Sequence, residues 1–406
     1  QLNESQRWQS VLRGGFGVFY DLATSELGNL LANGYPSHAS TIGIGGSFPL
    51  SATISAPPAI IPPDKTQGTL TGFDPNLKLP YTLQWNVAFE QAIGRQQSLS
   101  ASYLGSVGRR LLQSAFIYSP NPNYGSAYLV ANTATSDYHA LQIQFQRQLS
   151  HGLQALAAYT WSHSIDTASA GSVGNSANEL SVISDLNANR GPSDFDLRHA
   201  ASLGLTYRLP GPKSKRVFRA VLGGWSLQSV LQARSAPPVN VYDSAQYRLA
   251  NGFGIATRPD LVPGIPLYLY GSQYPGGRII NNTPNQGGAG CLGPFCPAPP
   301  GFPVGQGSLG RNALRGFGAV QWDLAFHKDF DLHENLRLEF RSEMFNVLNH
   351  PNFGPPNADL ASPLFGSATQ TLAEYLSAGA PGSGGLNPLY QIGGPRSIQF
   401  ALKLRF

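Results

Sequence analysis

The sequence has little charge. Lys, Arg, Asp and Glu make up 12% of its 406 residues, about half of the roughly 25% that is usual in soluble globular proteins. The chain also lacks any run of about 18 apolar residues, which excludes a transmembrane helix. The net charge is +5, but the basic residues are scattered, whereas a nucleic-acid-binding surface needs them clustered. We therefore expect neither a helical membrane protein nor a nucleic-acid partner.

Sequence motifs of enzymes and cofactor sites are missing as well. The histidines form no His-Glu-x-x-His pair, and the Gly-rich segment 43–46 lacks the Lys-Ser/Thr that completes a phosphate loop. No Gly-x-Ser-x-Gly nucleophile elbow occurs with a placed His and acid. We therefore predict no catalytic residue, no metal site and no cofactor.

Cysteine is scarce too, since the chain has only Cys291 and Cys296, both in a segment rich in Gly and Pro. The Gly293-Pro294 step between them favours the turn that a small ring needs. In an oxidising compartment we expect these two residues to form a disulfide. Two free thiols are the alternative. A metal site is disfavoured because it would want four ligands, and no His or second Cys pair lies nearby.

What the sequence does contain is a strict alternation of apolar and polar residues. Between Asp137 and Leu149, apolar side chains at 141, 143, 145 and 149 alternate with glutamines at 142, 144, 146 and 148. The same period of two recurs in 319–331, 335–344 and 397–406. Successive side chains of a strand point to opposite faces, so each segment has one apolar face and one polar face.

The alternation predicts about ten strands, most of them longer than the five to six residues usual in globular proteins. Their lengths suit tilted strands that cross a bilayer, which need about 9–11 residues. The predicted strands are 14–20, 79–93, 97–108, 137–149, 153–163, 196–209, 223–234, 319–331, 335–348 and 395–406.

The connections between these strands alternate strictly between short and long. This is typical of an outer-membrane β-barrel, which has tight periplasmic turns and long extracellular loops. We expect the long connections to be irregular, with one short helix at Leu22–Ala32. A soluble β-sandwich or propeller also alternates, but connections of this length are uncommon in a compact domain. The long connections are 21–78, 109–136, 164–195, 235–318 and 349–394.

Aromatic and charged residues refine the barrel interpretation. On the apolar parity Arg147 and Lys328 are charged exceptions, and each lies near a short connection, where its stem can extend to the lipid head groups. Tryptophans are expected in two interfacial girdles. Ordinary core packing is the alternative for these aromatic residues. The predicted interface tryptophans are Trp85, Trp161 and Trp322 towards the long loops and Trp225 towards the short turns.

One charge cluster lies at the entrance to a predicted strand, in the segment Asp194, Asp196, Arg198 and His199. We interpret it mainly as an ion-pair network at the extracellular rim, with a lumenal or ligand-binding group as the alternative. A second set of alternating charges, in 337–343, is expected to form salt-bridged ladders with neighbouring strands or to contact a plug.

Several motifs, in order, resemble one known family. They are Leu79-Pro-Tyr-Thr-Leu-Gln-Trp-Asn-Val87, Tyr138-His-Ala-Leu-Gln142, Tyr159-Thr-Trp-Ser-His-Ser164, Asp194-Phe-Asp-Leu-Arg-His199, Gly310-Arg-Asn-Ala-Leu-Arg-Gly-Phe-Gly318 and Phe345-Asn-Val-Leu-Asn-His-Pro-Asn-Phe353. Together they resemble the barrel of TonB-dependent outer-membrane receptors, and the most similar group is the Oar-like branch. The resemblance extends from about Arg13 to the end of the chain.

The resemblance implies an all-β fold, an antiparallel transmembrane β-barrel with long extracellular loops. The family's barrel has about 22 strands, so we expect the chain to be the C-terminal half of such a barrel, without plug, TonB box or N-terminal β-sandwich. A small closed barrel is the alternative. The last strand resembles the signal read by the barrel-assembly machinery, through Phe400, Leu402, Leu404 and Phe406.

The function implied by the resemblance is energised uptake of a bulky, unidentified ligand across the outer membrane. The TonB complex would be a partner only through N-terminal parts that are not in this sequence, whereas outer-membrane lipid would surround the barrel. A structural or adhesive surface protein that acts through its loops is the alternative. A barrel enzyme would need a catalytic constellation at the rim, for which residues 194–199 are the only candidate, so we expect none.

Overall fold

The structure is a computed structural model of the chain. It describes residues 7–21, 35, 37, 39, 49–64, 70–169, 186–211, 221–248, 254–283, 291–297, 306–333, 336–376 and 393–406.

Ten long antiparallel strands form the main sheet, as the alternation of the sequence predicts. Most observed bounds lie within a few residues of the predicted ones, because a period of two over many residues marks a strand clearly. We number these strands β1 (Ser10–Tyr20), β2 (Tyr81–Ile93), β3 (Gln97–Asn121), β4 (Tyr124–Ser150), β5 (Leu153–Asp166), β6 (His199–Arg208), β7 (Trp225–Arg234), β8 (Ala319–His333), β9 (Leu336–Phe345) and β10 (Ser397–Arg405).

The strands follow one another in the sheet in chain order, so that β1 and β10 are its two outer strands. Every long strand pairs with its neighbours antiparallel, which is the up-and-down topology of a barrel wall. Among the described residues no pairing joins β1 to β10. Whether the chain is half of a larger barrel stays a prediction.

The strand register places most of the large apolar residues of the ten strands on one face, which we call the apolar face; Leu156 and Val230 are exceptions on the opposite face. In one row, Phe16 of β1 pairs with Trp85 of β2, which pairs with Gly105 of β3. At the other end of the sheet, Phe340 of β9 pairs with Leu402 of β10. Phe16 is 69% exposed, Trp161 55% and Leu402 70%, so no other part of the described chain covers this face at these positions. The predicted all-β fold of long antiparallel strands is confirmed.

The opposite face, which we call the polar face, has two different halves. On β2–β7 it carries mainly Ser, Thr, Gln and Gly, whereas β8–β10 carry charges. There the buried carboxylate of Glu339 forms ion pairs with Arg341 and Arg405, and Arg337 pairs with Asp331 at 3.0 Å. The charge alternation of 337–343 thus forms the predicted cross-strand ladders.

The predicted long loop 109–136 is wrong, because β3 and β4 continue through it as one extended hairpin. A bulge follows Gly108, where Arg110 takes a positive φ of 55°, and pairing then resumes from Leu111 onward. A short parallel strand, Leu70–Phe73, pairs with β4. These partners satisfy the backbone groups of the hairpin, and the side chain of Val130 is fully buried beside it.

The loops 235–318 and 349–394 are not simply irregular, because their described parts pack around a hydrophobic core of their own. We call it the loop core; it consists of Val239, Val241, Ile280, Phe295, Leu309, Leu314 and Phe365. Short strand pairs support it: Pro238–Val239 with Leu314–Arg315, Asp243–Arg248 with Gly254–Thr257, Asp260–Leu261 with Phe295–Cys296, and Tyr268–Tyr270 with Arg278–Ile280. Apolar residues that are widely spaced in the sequence carry no period that would have indicated this core.

Helices are few and short in the described part of the chain. The α-helices are Ala52–Ser55 and Leu372–Tyr375, and 3-10 turns lie at Leu186–Asn189 and Pro275–Gly277. A capping box of Thr371 and Glu374 starts the second α-helix. None of the described helices has the length and apolar character to cross a membrane. The predicted helix at Leu22–Ala32 lies outside the described residues.

The two faces can be tested with adjacent substitutions in β4. Ile143 lies on the apolar face and Gln144 on the polar face, near the middle of the strand. Ile143→Arg is expected to lower the free energy of unfolding by about 2–4 kcal/mol in lipid, because a charge at the bilayer midplane is poorly solvated. Gln144→Arg is the matched control and should cost far less. Equal losses in reversible unfolding from vesicles would contradict the assignment of the faces.

Candidate functional site

Three of the motifs noted in the sequence meet at one edge of the sheet, which we call the long-loop edge because the long connections leave from it. The carboxylate of Asp196, which forms the first centre, lies between these three segments and binds to each of them. It accepts hydrogen bonds from Arg315 at 2.6 Å, Arg198 at 3.0 Å and the backbone N–H of Ser164 at 2.8 Å. Nδ1 of His163 lies 3.3 Å away. One fully buried carboxylate thus joins segments 159–164, 194–199 and 310–318.

A second centre lies next to the first and is formed by Arg311. Its guanidinium is completely buried and forms an ion pair with Asp166 at the end of β5. The same group donates to Oγ of Ser169 at 2.8 Å and to backbone oxygens of Asn189 and Pro192. A buried charge is tolerated only when it is paired and hydrogen-bonded in this way. Arg311 therefore holds the loop 306–318 against the end of β5 at the long-loop edge.

Two neighbours of Arg311 extend the network. Asn312 donates to the backbone oxygen of Pro192 at 2.8 Å and to Asp194 at 2.7 Å. Arg258 donates to Asn189 at 2.7 Å and to the backbone oxygen of Leu309 at 3.1 Å. Burial lowers the pKa of Arg258 to about 10, and the nearby charge of Arg311 adds to this shift. Arg258 is thus still charged at neutral pH.

Asp196 makes the network sensitive to acid. Burial alone would raise the pKa of its carboxyl group, but the hydrogen bonds from Ser164, Arg315 and His163 outweigh burial and hold the pKa below its usual value. A carboxyl group with a lowered native pKa stabilises the folded state above its unfolded pKa of about 3.9. That stabilisation is lost as the pH falls further, through the native pKa.

We therefore expect the loop 306–318 to become more sensitive to pepsin as the pH is lowered below about 4. Asp196→Asn should flatten this dependence while making the loop more sensitive at all higher pH values, where hydrogen exchange can follow it. Asp331→Asn is the control, because that carboxylate is 76% exposed in its ion pair. An unchanged acid profile in Asp196→Asn would show that other carboxyl groups control the loop.

Two cavities open on the polar face near the same edge. One, of about 290 Å³, lies between Leu376 at the end of the helix 372–375 and the wall residues Thr160, Ser202 and Gln232. The other, of about 680 Å³, lies along a row of paired residues on five strands and has the exposed ring of Phe195 at its margin. That row is Gly17, Gln84, Ser106, Tyr138 and Ser164. Both cavities combine uncharged polar groups with apolar surface, and Arg234 adds a positive charge to the smaller one.

The structure brings the predicted rim residues together, though not as one group. Asp196 and Arg198 belong to the first centre, whereas Asp194 lies 3.9 Å from Arg311 of the second. His199 belongs to neither centre, since its ring is stacked on Tyr159 on the apolar face, with Nδ1 2.8 Å from the hydroxyl oxygen. Sequence reasoning missed Arg311, Asp166 and Arg258. The only hint of these residues was the motif 310–318.

The predicted interface tryptophans lie on the apolar face. Trp161 is 55% exposed there, and the indole N–H of Trp322 donates to Ser229 at 2.8 Å. The ring of Trp85 reaches over Gly105, where a Cβ atom would leave no room for it. At the short-turn edge, the indole N–H of Trp225 donates to the backbone oxygen of Val221 at 3.0 Å.

The two charged exceptions on the apolar face are also accommodated. The ammonium group of Lys328 is buried between the rings of Trp225 and Phe330 and donates to the backbone oxygens of Val221 and Gly223. Arg147 donates to Oγ of Ser150 at 3.2 Å. Both groups lie at the short-turn edge.

The remaining predicted residues lie at opposite ends of the molecule. Cys291 and Cys296 form a disulfide beside the loop core. In β10 the proposed assembly signal is on the apolar face and strongly exposed, from Phe400 at 69% to Phe406 at 95%. Among the described residues no group of three or more His, Cys, Asp or Glu could hold a metal ion.

Comparison with solved structures gives large outer-membrane receptors at low sequence identity. The outer-membrane transporter YddB from Escherichia coli matches at 10% identity and a TM-score of 0.49, over 98% of this chain and 38% of YddB. The ferric-catecholate import receptor Fiu from E. coli K12 matches at 9% identity and 0.42, over 98% of this chain and 33% of Fiu. The pyoverdine receptor FpvA from Pseudomonas aeruginosa PAO1, bound to pyoverdine, matches at 11% identity and a TM-score of 0.40. The match covers 81% of this chain and 30% of FpvA.

The chain spans only about a third of the length of these solved structures. No curated protein matches it significantly in sequence. The family model described as outer membrane beta barrel domain matches residues 5–375. Because this match covers most of the chain and agrees with the ten-stranded wall, the protein belongs to the outer membrane beta barrel domain family.

Proposed function

We propose that this outer-membrane barrel is part of a TonB-dependent receptor, of the Oar-like branch, that takes up a bulky water-soluble ligand with energy from the inner membrane. The observation that carries the proposal is the polar face, with its two cavities at the long-loop edge. Loop residues border both cavities, Leu376 in one and Phe195 in the other. A wall that only anchored surface loops would need no such bordered space on its inner side.

The proposal includes an orientation. The long loops face the outside of the cell, and the short turns and Phe406 face the periplasm, as is usual for outer-membrane barrels. Ligand would first meet the loop core and then the polar face. The barrel-assembly machinery would engage β10, and the TonB complex would act through parts of the receptor other than this chain.

An adhesive or structural role is the second candidate, and one observation favours it. The long loops carry folded structure of their own, with the loop core and the disulfide Cys291–Cys296. A rigid projecting surface suits binding to another cell or to a matrix. The two candidate functions differ in one requirement. Uptake needs a ligand to move past the polar face, whereas adhesion does not.

Cross-linking across the smaller cavity separates the two candidates. Thr160→Cys and Leu376→Cys would place thiols on opposite sides of it, on the barrel wall and on the loop. In cells that express the receptor, joining them with a thiol-specific bifunctional reagent should stop depletion of the transported solute from the medium, followed by mass spectrometry. The double variant without reagent, and each single variant with reagent, are the controls.

Uptake should also stop when the proton gradient of the inner membrane is collapsed. If no solute differs between cells with and without the gene, while aggregation or surface attachment does, the uptake proposal is wrong and the adhesive role stands.

A further inference from the structure

The apolar face carries two side-chain clusters of the same composition at its long-loop edge. In the first exterior cluster, the carboxylate of Asp137 is shared by Arg109 and Arg190, each at 2.9 Å. Next to it the ring of His139 is stacked on Tyr103, with Nδ1 2.7 Å from the hydroxyl oxygen. Asp137, Arg109, Tyr103 and His139 all occupy strand positions of apolar parity.

The second exterior cluster repeats this arrangement on β5 and β6. Here the carboxylate of Asp196 is shared by Arg198 and Arg315, and the ring of His199 is stacked on Tyr159. Nη2 of Arg198 also donates to Nε2 of His163, a residue of apolar parity, at 3.1 Å. Arg198 is thereby directed towards the exterior of the barrel.

Each exterior cluster has an excess of positive charge. Two guanidinium groups share one carboxylate, and in the described part of the chain no other acid forms an ion pair with Arg109, Arg190 or Arg198. The side chains of these three arginines are 38%, 42% and 38% exposed. At the opposite edge, Lys328 is only 1% exposed, and Arg147 is half-buried and donates to Ser150. Outward-facing positive charge on the apolar face is therefore concentrated at the long-loop edge.

We propose that the two exterior clusters bind phosphate groups of phosphorylated lipids in the outer leaflet. The inference rests on the orientation given above, with the long loops outside the cell. The apolar face below each cluster must contact acyl chains, so the clusters lie at the depth of the head groups. A guanidinium group with free N–H donors matches two oxygens of a phosphate group.

The aromatic members of the clusters suit the same ligand. Trp85 lies beside His139, and Trp161 beside Tyr159 and His199, in the position of an interfacial girdle. The amphipathic rings cover the boundary between chains and head groups, while the hydroxyl and imidazole groups provide polar contacts next to the arginines.

The test measures which lipids stay with the protein. The purified protein is placed in phosphatidylcholine vesicles that contain either a diphosphorylated glycolipid or the same glycolipid after phosphatase treatment, and then extracted in mild detergent. Retained glycolipid is counted by native mass spectrometry. Inorganic phosphate is added in a third arm to distinguish a lipid site from a site for free phosphate. Heat-modifiable migration in electrophoresis verifies that every variant has folded.

We expect preferential retention of the phosphorylated form, and about fivefold weaker retention for each arginine removed in Arg109→Gln and Arg198→Gln. Arg337→Gln is the control, because this arginine also forms an ion pair and is even more exposed, at 66%, but lies on the polar face. Asp137→Asn should retain the lipid at least as well as the wild type, since it raises the positive charge. A purely structural role of the cluster predicts the opposite.

Equal retention of the two glycolipids, or an equal loss in Arg337→Gln, would overturn the inference. So would complete displacement of the phosphorylated glycolipid by inorganic phosphate, because the site would then bind free phosphate and not a lipid. Solute uptake is measured separately in the same variants. Uptake without lipid preference would overturn this inference alone, and lipid preference without uptake would overturn the transport proposal alone.

Discussion

Replacing Arg311 by Ala is expected to lower the free energy for opening the loop 306–318 by about 3–5 kcal/mol, because Asp166 would be left buried and unpaired. Arg311 is fully buried, and Asp166 is 4% exposed. Hydrogen exchange of the backbone amides in 306–318 measures the effect directly.

The neighbouring acid provides an internal control for Arg311. Arg311→Met combined with Asp166→Asn removes both charges, so the double variant should regain part of the loss. Arg337→Ala removes an ion pair whose arginine is 66% exposed and should cost only about 0–1 kcal/mol. If Arg311→Ala behaved like Arg337→Ala, the buried network would not be what holds the loop.

Replacing Phe295 by Ala is expected to lower the stability of the loop core by about 3–5 kcal/mol, through lost burial and the cavity that remains. Phe295 is 1% exposed, and its ring meets that of Phe365 edge to face, with centroids 5.7 Å apart. It also precedes Cys296, so the disulfide holds the cavity walls and limits their collapse. Proteolytic nicking within 235–283 should therefore become faster.

Tyr270→Ala is the matched control for this prediction. Tyr270 belongs to the same loop and is also aromatic, but it is 71% exposed. Its removal should change the rate of proteolysis little, because no cavity forms. Because the loop core lies in loops, outside the barrel wall, Phe295→Ala should leave the heat-modifiable migration of the barrel unchanged. A loss of barrel migration in Phe295→Ala would mean that loop core and wall unfold together.

The barrel wall was predictable because its signal is local. In β4 and β8, for example, the alternation in 141–149 and 320–330 directly gives both the strand and the face of each side chain. Lipid on one side and water on the other force this alternation along the whole strand. Turns and long loops then follow from what lies between the periodic segments.

The extended hairpin was missed because its arms are not bounded by lipid. Beyond Gly108 several described side chains of β3 and β4 are buried within the chain, and Gln113 and Ser114 are as deeply buried as Val130. Where a strand position does not face lipid, a polar side chain can occupy it as well as an apolar one. The alternation breaks, although backbone pairing goes on.

The rim site shows the same limit. The segment 194–199 attracted attention through its charges, but its main partners, Arg315 and Arg311, lie more than a hundred residues away. Nothing in the spacing of these residues indicates which acid meets which base. The motif 310–318 could be recognised in the sequence. The sequence did not indicate that this motif holds a loop against β5.

By itself, the sequence determined the all-β wall, its ten strands and which side chains face lipid, because each of these depends on residues one or two positions apart. Only the tertiary structure decided how Asp196 and Arg311 join distant loops, how the loop core forms, and that two Arg–Asp–Arg clusters recur beside Tyr–His pairs. These contacts depend on the strand register and on the return path of the chain. The register and the return path both depend on the free energy of the whole fold, and a local alternation of apolar and polar residues does not determine either of them.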